Sequence, residues 1–542
     1  MAAEPRLRPN VHGRAGDRGA APLVLFSAAL AAYVIGYPFT LAKYPPLTDL
    51  PFHAAQASIL RHYFDPTFHF RDQFTLHPLE APYVSMYLLG AFFALFTSIA
   101  TASKLMAMSM LALLPAGLAV LCHGMRKSPF WGLFGLSLVW CTTTQWGFLS
   151  YMGALGLFAM SVGFALLVVD DPTTGRRLGL ALSLVALFFT HVYRFPFAIV
   201  AVLLAGVLVF PVTRRFSPLA VPLVPSLLLF LIWLLVRPRE MSIDTMTLHF
   251  HAERIHEISR HLFGAYQPIE GAPPTPEGIG EHAIFKRMVG IGLFALGASA
   301  LLFFGEGRAR GRSREEIRWG TAVTALPLLL AGALAFAYFT LPLDAGLWFY
   351  VYPREAVAAV MMLMAAGADL PRGMMGRLAF CSLFAAAAVP MTRFVSHRFR
   401  EFETATSDFR VVLNSIPKAP RLFYLVYYRG DSAKRVSPFL HLPAWIQAEK
   451  GGALGFHFAD WGLYPIRYRA GSGAVPPSLP PGFEWTPQYF NVDIHGPWFD
   501  TFLVRHTIDP HELFDADPSV RLVLHRGTWW LYRKQPERIA NP

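Results

Sequence analysis

Charge is what this chain has least of. Asp, Glu, Lys and Arg make up 15% of its 542 residues while hydrophobic types make up 54%, whereas an average soluble protein carries about 25% charged residues. That balance excludes an ordinary soluble domain. Cysteine is nearly absent: Cys122, Cys141 and Cys381 lie in or beside apolar runs without paired spacing, which excludes a disulfide framework or a cysteine zinc site. No segment repeats at a fixed period, and no HExxH or similar metal motif occurs. The formal net charge of +12 would suit nucleic acid, but the arginines sit in short loops between apolar runs. They form no basic face, and the positive-inside bias of membrane proteins accounts for them.

Apolar runs of roughly 18 to 22 residues, each about 30 Å of helix, recur as far as Pro390 and match a bilayer's hydrocarbon thickness. The chain therefore reads as an α-helical polytopic membrane protein. Its first run, Ala20 to Ala42, follows Arg6, Arg8, Arg14 and Arg18, and its length suits an uncleaved anchor better than a cleaved signal. Residues 1–20 are expected to be a disordered cytoplasmic tail.

With that tail inside, HGMRKSP (123–129), DDPTTGRR (170–177), TRRF (213–216), GEGRARGRSREEIRW (305–319) and LPRGMMGR (370–377) are the arginine-rich, cytoplasmic loops. The alternating segments face outward: the first outer loop 43–104, TTTQWGFLSYMG, THVYRF, the long loop 237–287 and LPLDAGLWFYVYPRE. Two apolar runs, 83–100 and 105–122, compete for one crossing. Leu105 to Cys122 is assigned to it, and YVSMYLLGAFFALFTSIA to the outer interface or a re-entrant element. Lys104 then lies outside, within reach of headgroups. About 11 transmembrane helices result, with twelve as the rival count, and residues 391–542 form a soluble extracytoplasmic domain beyond the 21–390 multi-span region.

Several ionisable residues share the outer face in this map. In YPPLTDLPFHAAQ, Asp49 precedes Pro51 and a short helix, so it can serve as an N-cap. It can equally act as a general base, because a carboxylate at a low-dielectric boundary titrates nearer neutrality. His53, one turn on, would orient it. His191 and Arg194, in LFFTHVYRFPF, and Arg354, in GLWFYVYPREAVAAV, suit an anionic headgroup, for which arginine's planar fork is well shaped. Arg354 and Glu355 are adjacent on a helix and should not pair; Asp344 is a further acid nearby. In MSIDTMTLHFHAERIHEISRHL (241–262), His249, His251, His256 and His261 alternate with Asp244, Glu253 and Glu257. These could hold a divalent metal ion, or simply form a solvated amphipathic loop.

Beyond Pro390 the pattern becomes that of an α/β or α+β domain. SDFRVVLNSIP and HLPAWIQAEKGG read as helices, RLFYLVYY and TFLVRH as strands, and VRLVLHRGTWWLYRK as a hairpin. RYRAGSGAVPPSLPPGFEW reads as a mobile loop. The domain holds no nucleophile motif and no phosphate-binding glycine loop. It suits substrate recognition or partner binding; His441, Trp445, His457, Asp460 and Trp461 are candidates for sugar contact or for core packing.

TDLPFHAAQASIL just after the first span, followed by an interfacial run ending FTSIATASKLMAMSML, resembles the type C glycosyltransferase superfamily (GT-C). The resemblance implies transfer of a sugar from a polyprenyl-phosphate carrier on the outer face of a bacterial inner membrane. Asp49 would be acceptor base or metal ligand, with His53 beside it, and His191, Arg194, Arg354 and Lys104 would meet the lipid phosphate. TTTQWGFLSYMG lacks the second acid that many relatives carry there. A non-catalytic assembly protein, or a transporter or flippase of lipid-linked saccharides, remains the alternative.

Overall fold

The computed structural model describes residues 21–237, 248–268, 273–310, 313–346, 348–371, 373–430, 436–462 and 464–535. The tail 1–20 and Asp244 fall outside them. Among the described residues seven helices are long and apolar enough to cross a membrane: Ile99–Gly124, Leu149–Asp170, Val192–Thr213, Ser217–Val236, Pro276–Leu302, Arg314–Thr340 and Met374–Ala405. The other apolar segments are Ala21–Gly36, Pro129–Leu138, Thr174–Thr190 and Val351–Ala365. These correspond to the remaining expected crossings but are shorter, so the count of eleven is not established. Pro129–Leu138 is a ten-residue 3-10 helix, about 20 Å long at its steeper rise.

The competition between the two early apolar runs is settled by length. Ser85–Phe93 has nine residues, about 14 Å of helix, too short to cross. Ile99–Gly124 has 26 residues and starts at a Ser98 N-cap whose side chain accepts the Thr101 amide.

Leu149–Asp170 runs through the middle of the bundle and is buried along nearly all its length, whereas Ser217–Val236 and Pro276–Leu302 leave most of theirs exposed. The central helix meets Ile99–Gly124 without side chains between the two backbones. A Cβ at Gly117 would run into the Gly156 carbonyl, and one at Gly124 into the Gly163 carbonyl. Small residues at such crossings let membrane helices approach closely, where lipid supplies no hydrophobic drive between them.

The loops separate into two groups at opposite ends of the bundle. At one end Arg126 pairs with Asp170 at 2.7 Å, Arg215 donates to the Asp170 carbonyl, Lys127 donates to the Ala365 and Gly367 carbonyls, and Asp369 accepts the Ser128 amide. These are the arginine-rich loops. The other end gathers the segments expected to face outward, together with the C-terminal domain.

That domain starts later than its composition suggests, because Pro390 lies inside the single helix Met374–Ala405. Proline within a membrane helix is tolerated where neighbours re-satisfy the freed carbonyl. Among the described residues seven strands follow the chain as β1 (Phe74–Leu76), β2 (Arg421–Val426), β3 (Ala453–Leu454), β4 (Ile466–Tyr468), β5 (Thr501–Arg505), β6 (Val520–Arg526) and β7 (Trp529–Lys534). Five form one mixed sheet in the order β3-β2-β5-β7-β6, with β2 parallel to both its neighbours and the β6–β7 hairpin antiparallel. Helices Ser407–Ser415 and Ala444–Lys450 match the expected ones, the second ending at Gly451 with φ +80°. β1, from the first outer loop, pairs antiparallel with β4, so the two are stitched together. Ser58 donates to the Ala448 carbonyl and Arg467 pairs with Glu80 at 2.8 Å across the same boundary.

The glycine crossing yields a direct expectation. Gly156→Leu forces the two central helices apart, at a cost of about 3 kcal/mol, and lowers the melting temperature of the detergent-solubilised protein by several degrees. Gly297→Ala, where a Cβ meets nothing within 4 Å, serves as control and leaves it unchanged.

Candidate functional site

A cavity of about 110 Å³ opens between the outer loops and the C-terminal domain, and Asp49, His53, His191 and Arg354 all line it. Residues 142, 300 and more positions apart in sequence are thus neighbours in space only because the bundle aligns their loops.

The Asp49 backbone is fixed first. Thr48 N–H donates to the Gln145 carbonyl at 3.1 Å and Asp49 N–H to the Trp146 carbonyl at 3.0 Å. TTTQWGFLSYMG, which lacks an acid, therefore acts through its carbonyls as the seat of the acidic loop. Gly147 makes the seat fit. Its φ is +96°, and a Cβ there would stand 2.8 Å from the Asp49 nitrogen and 2.9 Å from its Cβ, so any side chain displaces Asp49.

Asp49 precedes the helix Leu50–Arg61 but makes no side-chain cap bond. Its Oδ1 instead accepts from His441 Nδ1 at 3.0 Å. His441 Nε2 is buried and has no partner among the described residues. Phe52 packs on the His441 ring at 4.6 Å and holds its plane.

His53 does not touch the Asp49 carboxylate as its spacing suggests. Its Nε2 meets the Gly147 carbonyl at 3.0 Å, which can only accept, so Nε2 carries the proton and Nδ1 accepts from the Tyr87 hydroxyl at 3.0 Å. Burial pushes the imidazole down to about 4, against the opposing pull of Asp49. His53 is a neutral strut between the first and second outer loops.

Arg354 stacks on the Phe148 ring, 4.0 Å from its centroid, and donates from Nη2 to the Phe349 carbonyl at 2.7 Å. Its Nε has no partner and no carboxylate pairs with it among the described residues. Neighbouring Glu355 points elsewhere, as helical geometry requires. It pairs with Arg194 at 2.6 Å, both side chains fully buried, and Arg194 also donates to the Tyr151 hydroxyl. Arg194 therefore stands behind the cavity and does not line it: the nearby buried carboxylate claims its charge. His191 lines the cavity edge-on to Tyr83 and Tyr151, its Nδ1 buried and without a partner. Lys104, early in Ile99–Gly124, and the exposed Asp344 line no part of it.

The C-terminal domain supplies residues the sequence does not advertise. Besides His441 and Trp461, the lining includes Tyr464, Glu484 and Trp485, with Trp146, Phe148, Trp348 and Phe349 from the loops. The remaining sugar-contact candidates are otherwise engaged. Trp445 is core, His457 accepts the Ala459 amide, and Asp460 closes the same turn with its carboxyl raised by burial to about 6. Burial likewise raises the Glu484 carboxyl, opposed by His441. In the histidine-rich loop His251 pairs with Glu253, and His261 meets Tyr338 and Glu257. Among the described residues no group of three or more His, Cys, Asp or Glu side chains is placed to ligate an ion, so the residues present do not fit a divalent metal site.

A solved structure of ArnT from Cupriavidus metallidurans bound to undecaprenyl phosphate aligns with 96% of this chain and 99% of its own, at TM-score 0.51 and 12% identity. The chain shares the fold of that structure. Apo ArnT aligns over 95% of this chain at TM-score 0.46 and 13% identity. The arabinofuranosyltransferase AftD from mycobacteria aligns over 94% of this chain but 40% of its own, at TM-score 0.48 and 14% identity. No protein-family model and no curated protein matches the sequence. Within this fold the segment after the first apolar helix, the loop at 142–148 and the C-terminal domain meet around the cavity described above.

The neutral His53 carries a pH signature. Above pH 6.5 both folded and unfolded chains leave it uncharged. As pH falls toward 4 the unfolded chain takes up a proton that the folded one refuses, so stability declines. Thermal unfolding between pH 7 and 4.5 should follow that slope, to which buried His457, pushed down to about 3, contributes at least as much. His53→Gln keeps a donor for Gly147 and an acceptor for Tyr87 but cannot titrate, so it should flatten the dependence; an unchanged slope removes His53 from it.

Proposed function

We propose that this multi-pass membrane protein is a glycosyltransferase that moves a sugar from a polyprenyl-phosphate carrier to an acceptor hydroxyl at the non-cytoplasmic face of a bacterial inner membrane. One observation carries the reading. A single cavity holds a carboxylate poised by a histidine, Asp49 with His441, and a guanidinium without a carboxylate partner, Arg354. A cation left unpaired beside membrane-spanning helices is costly and marks a site for an anion, and the guanidinium fork matches phosphate oxygens. The bound undecaprenyl phosphate of ArnT, which shares the fold, supplies the chemical class.

In the proposed reaction the acceptor hydroxyl gives its proton to the Asp49 carboxylate and attacks the anomeric carbon. A new glycosidic C–O bond forms as the bond to the carrier's phosphate oxygen breaks, and the electron pair leaves with that oxygen. Arg354, with His191 donating a hydrogen bond, stabilises the charge that grows there. The displacement inverts the anomeric centre. His441 orients the Asp49 carboxylate, and Arg194 with Glu355 fixes the helix that presents Arg354.

Incubating the protein in liposomes with a panel of polyprenyl-phosphate sugars should consume one carrier. Asp49→Asn should slow consumption by about 10² to 10⁴-fold without changing the melting temperature, and activity within a few-fold of wild type removes Asp49 as the base. Arg354→Ala should raise KM for the carrier and lower kcat. Orientation is testable separately. The three native cysteines are buried, so Ser472→Cys in the C-terminal domain reports alone, and a membrane-impermeant maleimide should label it from outside intact cells. Labelling only after lysis reverses the topology.

A further inference from the structure

The C-terminal wall of the cavity contains a carboxylate that neither the proton transfer nor the phosphate uses. Glu484 is 6% exposed; Trp485 and the charge of His441 act on its carboxylate, but its Oε2 is buried without a hydrogen-bond partner among the described residues. A buried carboxylate oxygen without a partner is expensive, and buried polar atoms in general are satisfied. An exception facing a cavity therefore points to a ligand.

The chain is built to hold this residue there. Gly482, with φ +75°, turns the backbone into the one-turn 3-10 helix Phe483–Trp485. Phe483 plugs into the C-terminal core beside Phe423 at 6.1 Å, and the Thr486 amide closes the turn on the Phe483 carbonyl. Arg429 donates to the Trp485 carbonyl and lies 4.9 Å from that indole's centroid. The segment read from sequence as a mobile loop thus presents Glu484 and Trp485 on a pinned turn. Opposite stands Trp146, 6.3 Å from Trp485 at 47°, and its Nε1–H is buried with no acceptor among the described residues. An unmet acceptor, an unmet donor and two indole faces line the same cavity. Hydroxyl pairs on a ring with an apolar C–H face would satisfy all four.

We propose that Glu484, Trp485 and Trp146 form the subsite that recognises the hydroxyl-bearing sugar of the carrier, separate from the phosphate end at Arg354 and His191. The inference rests on the carrier reading above. Glu484 accepts hydrogen bonds from ring hydroxyls, the Trp146 indole donates to one, and the ring lies against Trp485. Recognition of the sugar is therefore shared between the C-terminal domain, through Glu484 and Trp485, and the loop that carries Trp146, whereas recognition of the anion lies in the membrane domain.

Tryptophan fluorescence of the full-length protein in nanodiscs, titrated with farnesyl phosphate and with farnesyl phosphate esters of glucose, galactose, mannose and arabinose, separates the two. The wild type should bind at least one glycosylated compound about tenfold or more tightly than farnesyl phosphate. Glu484→Gln should erase that increment and leave farnesyl phosphate affinity within twofold, and Trp485→Leu should do the same if the Gln variant misfolds. Arg354→Ala should weaken every compound. An increment that survives Glu484→Gln and Trp485→Leu, or no increment for any sugar in the wild type, overturns the subsite while leaving the phosphate reading intact. No binding of farnesyl phosphate overturns both.

Discussion

Two backbone hydrogen bonds, from the Thr48 and Asp49 amides to the Gln145 and Trp146 carbonyls, are the constraint on which the cavity depends. They fix where the first outer loop stands relative to the second, and every other contact of Asp49 starts from that point. Each bond is worth only about 1 kcal/mol net, but orphaning either buried group costs more, so the register between the loops is effectively single-valued. Gly147 adds steric exclusion to the same register, and His53 adds a third bond to its carbonyl. The acid is thus placed by main-chain geometry before its own side chain contributes anything.

The side chain then joins two parts of the molecule. Asp49 meets His441 from a segment almost four hundred residues later, alongside the β1–β4 pairing, the Ser58 bond to Ala448 and the Tyr44 hydroxyl bond to Glu449 at 2.7 Å. No single one is large. Together they make rigid docking of the C-terminal domain a condition for the carboxylate to be oriented, and a domain that can undock would switch off the proposed base without any change near it.

Much of this was legible in the chain. Apolar length and arginine placement sorted the loops into the two ends seen in the fold, because the bilayer imposes both rules on sequence directly. The strands in RLFYLVYY, TFLVRH and VRLVLHRGTWWLYRK were legible too, whereas β3 and β4 were not, and nothing in the apolar run 83–100 showed that only nine of its residues form the helix Ser85–Phe93. Asp49, His191 and Arg354 were legible as ionisable residues at the ends of apolar runs. His441 was legible only as a candidate for sugar contact or core packing, not as the partner of Asp49, and Glu484 was not legible at all: it sits in a Pro- and Gly-rich stretch whose periodicity is nil, so tertiary packing alone brings it to the cavity. The contacts of His53 and Arg194 were not legible for a related reason: spacing predicts which residues share a helix face, not which carbonyl or carboxylate from another segment will claim them.

Arg194 and Arg354 show how the bundle decides that claim. Both are guanidiniums at the ends of membrane helices, and one carboxylate, Glu355, is within reach. Glu355 follows Arg354 directly on its helix and so points about 100° away from it, into the interior where Arg194 waits. Pairing the fully buried charges removes a desolvation penalty neither could bear alone, though such a pair adds little stability beyond break-even. What it does is directional. With Glu355 committed to the interior, Arg354 is left against the Phe148 ring with aromatic and carbonyl contacts only, and these cannot neutralise it. A bound anion can, and under the proposed reaction the free energy of meeting that unsatisfied charge is then available to hold a phosphate as its negative charge increases.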